Sequence, residues 1–102
     1  MKRLLLLSIG MAVCAATAEP MRVTLTFDDN LKDHLTIAAP ALESRGWRGT
    51  FCIVTSKVGS GPRYLDWDDV RELVRRGHEI ATHTSNHVPM ARLLSAGQTN
   101  EV

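Results

Sequence analysis

Arg22-Val23-Thr24-Leu25-Thr26-Phe27, followed at once by Asp28-Asp29-Asn30, is the stretch on which the fold of this chain turns. Its first six residues alternate polar and apolar side chains, with β-branched and aromatic types throughout. That pattern predicts a strand over 22–27, stopping where strand propensity collapses at the aspartates. Thr50-Phe51-Cys52-Ile53-Val54 is a continuous apolar run of the kind buried on both faces of a parallel sheet. A third short strand is expected at 78–82. Between the first two strands, a helix is expected from about Leu35 to Arg45, closed by Gly46, with Pro40 tolerated in the first turn if the helix starts near Thr36. Between the second and third, Asp66 is an N-cap candidate, Asp68 and Asp69 suit the positive end of the helix dipole, and Leu65 can staple onto Val70. Val70, Leu73 and Val74 predict one apolar stripe, and Gly77 ends the helix. The order β-α-β-α-β argues for an α/β fold of parallel strands joined by helical crossovers. Ser95-Ala96-Gly97-Gln98 has capping-box spacing and predicts a third helix beginning there.

Composition narrows the class. The chain has 102 residues, 44% hydrophobic and 23% charged, with 12 basic and 11 acidic side chains. That is globular rather than disordered, and too balanced in charge to imply attraction to nucleic acid or anionic lipid. Lys2 and Arg3, the apolar run to Val13, and Ala16-Thr17-Ala18 read as a secretory signal peptide over residues 1–18, too short to span a membrane. Val13 is bulkier than a lipoprotein signal before Cys14 tolerates, so simple cleavage and a secreted or periplasmic product over 19–102 are expected. Only Cys52 then remains, and its apolar surroundings predict a buried thiol.

Two clusters carry chemistry. Asp28-Asp29 follows the first strand and His83-Thr84-Ser85-Asn86-His87 follows the third. Carboxyl ends of parallel strands are where catalytic groups gather, so both clusters fall on one edge of one sheet. A spacing of four puts both imidazoles on one face of a helical turn, and a carboxylate from the first cluster would complete a two-histidine, one-carboxylate metal set. Such donors are expected to meet within about 4 Å of one another. Taken singly, paired aspartates after a strand are more often turn residues, and an isolated H-x-x-x-H is more often surface or packing. A zinc-protease H-E-x-x-H fails, because Thr82 lies four residues after His78. His34 reads as a helix-start residue, Trp67 as packing, and Arg71, Arg75 and Arg76 as a solvated helix face.

The conjunction is more specific than either part. Thr26-Phe27-Asp28-Asp29, with Gly77-His78-Glu79-Ile80-Ala81-Thr82-His83-Thr84-Ser85-Asn86-His87, resembles the first two motifs of the polysaccharide deacetylases, the NodB-homology family of carbohydrate esterases. Trp67 to Leu73 and Gly49-Thr50-Phe51 are similar to the family's intervening sequence, so the resemblance runs from about Arg22 to Leu94. It implies a metal-dependent hydrolase that removes N- or O-linked acetyl groups from a carbohydrate. It also implies Asp28 as general base, and Asp29, His83 and His87 as ligands of a divalent cation, commonly zinc, with cobalt or nickel possible. Thr84 matches a position that helps hold the histidine loop.

The departures carry expectations of their own. The family usually has glycine where this chain has Asn30, the next-best residue for a left-handed conformation. A family domain is about twice this length and forms a distorted (β/α) barrel. Its later motifs supply an arginine that orients the catalytic aspartate, groove residues and a histidine acting as general acid, and no counterpart follows His87. Residues 19–102 are therefore expected to be the N-terminal portion of such a domain, with an open sheet edge, an uncovered apolar face and negligible turnover alone. The alternatives are a hydrolase of another amide or ester, or a secreted non-catalytic fragment that at most binds metal or glycan. An acetylated carbohydrate is the expected partner, with no nucleic acid and no membrane span.

Overall fold

The alternating stretch forms a strand only at its end: β1 spans Thr26–Asp28 in a computed structural model that describes residues 18–97. β1 pairs in parallel with β2, Thr50–Ile53, and β2 pairs in parallel with β3, Glu79–Thr82. The sheet order is β1-β2-β3. Register sets Phe27 beside Phe51 beside Ile80, and Asp28 beside Cys52 beside Ala81. The strand expected over 22–27 begins late because a strand needs a backbone partner. Thr50 N–H still donates to the Leu25 carbonyl at 2.9 Å, the first bond of the β1–β2 ladder, while Gly49 N–H faces the β3 side and donates to Nδ1 of His78. Met21 and Val23, ahead of that first bond, remain exposed.

After β1 the chain enters a π-helical segment, His34–Ala38, that runs into α1, Ala39–Glu43. The helical run thus starts before Thr36 as a π-helical segment, and Pro40 is the second residue of α1, in its first turn. The Ala39 N–H reaches back to the His34 carbonyl, five residues away. That widened ring gives room to a proline that would otherwise clash with an α-helical carbonyl. Gly46, at φ 71°, closes the segment as expected.

α2, Trp67–Arg75, starts as its sequence demands. The Asp66 carboxylate accepts from the N–H groups of Asp68 and Asp69, and the Asp69 carboxylate accepts from the Asp66 N–H. Val70 and Leu73 are buried, but Val74 is 55% exposed, so the stripe is narrower than expected and ends at its edge. α3 spans Met90–Ser95, which reverses the expectation of a helix starting at Ser95. The Ser95 hydroxyl donates back to the Arg92 carbonyl at 2.9 Å and Gly97 takes φ 70°, so the serine ends a helix entered after Pro89. Gln98 lies outside the described residues.

The helices cover one face of the sheet. Phe51 and Ile53 pack there with Ala39, Leu65, Val70 and Leu73, and Phe27 and Ile80 lie against them. Side chains alternate along strands, so the other face carries Thr26, Asp28, Thr50, Cys52, Glu79 and Ala81. An uncovered apolar face was expected, but this one is polar or small, with Thr50 Oγ1 donating to Glu79 Oε2 at 2.7 Å. Cys52 is half-buried rather than enclosed; burial first, then the neighbouring Asp28 carboxylate, pushes its thiol pKa up. No helix among the described residues is long and apolar enough to cross a membrane. The signal peptide expected over 1–18 lies, up to residue 17, outside the described residues.

Candidate metal centre

Asp28 is the last residue of β1, and the chain then turns sharply through two left-handed residues, Asp29 at φ 77° and Asn30 at φ 55°. Left-handed backbone is costly for residues with a Cβ and persists only where surroundings enforce it. Asn30 supplies that enforcement. It is fully buried, its Nδ2 donates to the Val54 carbonyl at 2.9 Å, and its Oδ1 accepts from the Val54 N–H at 2.7 Å. The role expected of Asn30 was conformational tolerance alone. The two-point amide contact was missed, and the only sequence signal for it was a polar residue of the right length in a turn facing a buried strand end.

The histidine loop leaves β3 on the same edge. His83 N–H donates to the Ile53 carbonyl at 2.8 Å, which extends the β2–β3 ladder by one bond. Thr84 then takes φ 64° and His87 φ 55°, and Thr84 Oγ1 accepts the His87 N–H at 2.9 Å. The two imidazoles do converge, with ring centroids 5.0 Å apart. They do so through this kinked loop and not through the helical turn expected from their spacing. Ser56 N–H bonds to the Ser85 carbonyl at 3.0 Å and ties the loop to the residues after β2.

All four non-glycine residues with positive φ among those described, Asp29, Asn30, Thr84 and His87, lie in these two segments. They bring Asp29, His83 and His87 together, with one donor atom from each lying within 4.8 Å of the others. That is looser than the expected 4 Å. His87 Nε2 is 3.1 Å from Asp29 Oδ1, and His83 Nε2 is 3.9 Å from both Asp29 Oδ1 and Asp28 Oδ2. Lys57 Nζ donates to Asp29 Oδ1 at 3.5 Å. Two carboxylates against one ammonium leave negative charge at a place where two imidazoles present nitrogen. Oxygen and imidazole nitrogen from three side chains, all partly exposed, form a donor set that fits a divalent transition metal.

The other histidines serve elsewhere. His78, 5% exposed, accepts from Gly49 N–H at Nδ1 (3.1 Å) and bonds through Nε2 to Glu43 Oε1 at 2.8 Å. Arg76 binds the same carboxylate through two 2.8 Å bonds, so it is not part of a solvated face. The Arg76 guanidinium, then His78, hold the Glu43 carboxyl down at about 2. His34 lies against Phe27 and Phe51, and burial lowers its pKa. Trp67, expected to pack, is 51% exposed. Arg71 and Arg75 do lie on the open helix face, paired with Asp68 and Glu72.

Comparison with known proteins points one way. The family model described as polysaccharide deacetylase matches residues 15–102. A chitin deacetylase of a Pestalotiopsis species is 31% identical over 94 residues, covering 92% of this chain and 30% of its own length. A chitin deacetylase of Arthroderma benhamiae is 29% identical over 76 residues, covering 74% of this chain and 20% of its own. The solved structure of the Streptococcus pyogenes deacetylase PplD in complex with acetate superposes with a TM-score of 0.66 at 28% identity, over 76% of this chain and 35% of that one. The chain thus spans 35% or less of the length of these proteins.

Proposed function

The chain belongs to the polysaccharide deacetylase family, and from that premise we propose that it serves metal-dependent hydrolysis of N- or O-linked acetyl groups on an exported carbohydrate. The observation that carries this reading is the meeting of Asp29, His83 and His87, with Asp28 alongside on the open face of the sheet. Asp29, His83 and His87 would hold the cation, Zn²⁺ first and Co²⁺ or Ni²⁺ as substitutes. When bound, the cation supplies Lewis-acid polarisation of the acetyl carbonyl and eases ionisation of water. Asp28 is the general base: it ends β1 beside the ligands without being one of the three, and takes the proton of the attacking water. Thr84 fixes His87 through the backbone, and Lys57 orients Asp29 while offsetting part of its charge.

The same placement argues that these residues suffice for attack but not for breakdown of the tetrahedral intermediate, which needs a proton delivered to the leaving amine or alkoxide. His78, with both nitrogens engaged at the far end of the sheet, cannot supply it. Export follows from the leader-like residues 1–18. The test pairs two measurements on the chain: zinc binding by titration, and acetate release from chitooligosaccharides and acetylated xylan. Zinc binding abolished by Asp29→Ala, with negligible acetate release, is the expected result. No zinc binding, or equal binding by Asp29→Ala, would overturn the ligand assignment.

A further inference from the structure

We propose that Asn30 is a positioning residue for the Asp28–Asp29 pair. Its side-chain amide locks the turn bearing both carboxylates to the backbone of Val54 and, through the residues after Val54, to the histidine loop. The proposal rests on the reading of Asp29, His83 and His87 as metal ligands.

Three observations carry it. Asn30 is fully buried, yet every polar group of its side chain is used: Nδ2 to the Val54 carbonyl at 2.9 Å and Oδ1 from the Val54 N–H at 2.7 Å. These are the two bonds that a neighbouring strand would make, so the amide replaces one residue of ladder at the point where β1 has already turned away. The Asn30 carbonyl also accepts from Leu65 N–H at 2.8 Å, which fixes the turn from a second side. Val54 is itself fully buried, and the next two N–H groups, of Thr55 and Ser56, donate to the Thr84 and Ser85 carbonyls at 3.4 and 3.0 Å. A continuous path of hydrogen bonds therefore runs from the residue after Asp29 to the residues after His83.

The chemistry of the side chain is specific. Glycine could adopt φ 55° but would offer neither bond, leaving a buried N–H and carbonyl on Val54 without partners. Aspartate would keep an acceptor for the N–H but set a carboxylate against the Val54 carbonyl. Groups that orient metal ligands from behind shift affinity by about 10–100-fold when removed. Asn30 acts in this way on Asp29, its immediate neighbour.

The experiment measures Co²⁺ affinity of the full chain for the native sequence, Asn30→Gly, Asn30→Asp and Leu73→Ala. The last variant removes core packing at a site remote from the turn and reports what destabilisation alone does. Asn30→Gly and Asn30→Asp should weaken Co²⁺ binding by about tenfold or more, and Leu73→Ala should lower thermal stability without changing the affinity of the folded protein. A second measurement, without metal, follows amide exchange at Val54 and the imidazole resonances of His83 and His87. Asn30→Gly should lose protection at Val54 and shift both sets of ring resonances. Native affinity in Asn30→Gly, an equal loss in Leu73→Ala, or unmoved imidazole resonances would overturn the proposal. Shifted resonances in a chain that binds no cobalt would uphold the positioning role and remove the metal reading instead.

Discussion

The two ends of this sheet are built from the same residue types and do opposite things. At the start of the strands, His78, Glu43 and Arg76 form a closed set: both imidazole nitrogens and both carboxylate oxygens are engaged, and His78 is 5% exposed. At their carboxyl ends, His83, His87, Asp28 and Asp29 face one another across longer and more open contacts, with Lys57 as the nearest cation. Backbone strain divides the same way. At the first end the left-handed positions are occupied by Gly46 and Gly77, at no steric cost; at the second, besides Gly59 in the loop after β2, they fall on Asp29, Asn30, Thr84 and His87. Histidine beside a carboxylate therefore says little by itself. What separates a packing cluster from a candidate site is unspent coordinating capacity, held in place by backbone that would relax if nothing required it.

The sharpest way to break this contrast is at the aspartates. In a chimera where residues 22–97 replace the matching segment of the Streptococcus pyogenes deacetylase, Asp28→Asn should keep zinc and lose acetate release by roughly 100-fold or more. Asp29→Ala in the same chimera should lose both. Zinc analysis with acetate assay separates the two roles, and equal metal loss in both variants would show them wrongly divided.

At the other end, His78→Ala should cost about 2–4 kcal/mol of stability, because it empties buried volume and strands the Gly49 N–H. Zinc affinity should not change. Denaturant titration with and without zinc checks this, and a large affinity loss would mean that the two ends are coupled.

The smallest effect is the response to acid. Glu43 has its carboxyl held at about 2 against an ordinary 4.5, so it binds its proton less readily folded than unfolded. Its stabilisation is complete above about pH 4.5 and is lost as pH falls towards 2. Glu43→Gln should lower the melting temperature at neutral pH and flatten its decline between those limits. Parallel melting curves for the two proteins across that range would contradict the assignment.

Where local chemistry decides, the sequence was informative. Asp66 and Asp69 make their capping box, Gly46 and Gly77 close their helices, and the polar-apolar alternation separates Phe27 from Asp28. The presence of both clusters on one edge followed from strand order alone. What was hidden depends on partners distant in sequence. Arg22 to Leu25 read as strand, but the β1–β2 ladder begins only at the bond from Thr50 N–H to the Leu25 carbonyl. Ser95 reads equally well as a start or an end until Pro89 and Gly97 are seen to bracket the helix. The histidine spacing predicted convergence for the wrong reason, since the loop bends through Thr84 where a helix would have coiled. Asn30 looked like a permissive turn residue, and only Val54, 24 positions later, reveals its second task.

One end of the sheet should bind a divalent cation and the other should not. Anomalous diffraction at the zinc absorption edge, from crystals of this chain grown with Zn²⁺, tests it most directly. The expected result is a peak about 2.0–2.2 Å from the facing atoms of Asp29, His83 and His87, with none at His78 and Glu43. A peak at His78, or well-ordered crystals with both ends empty, would contradict it.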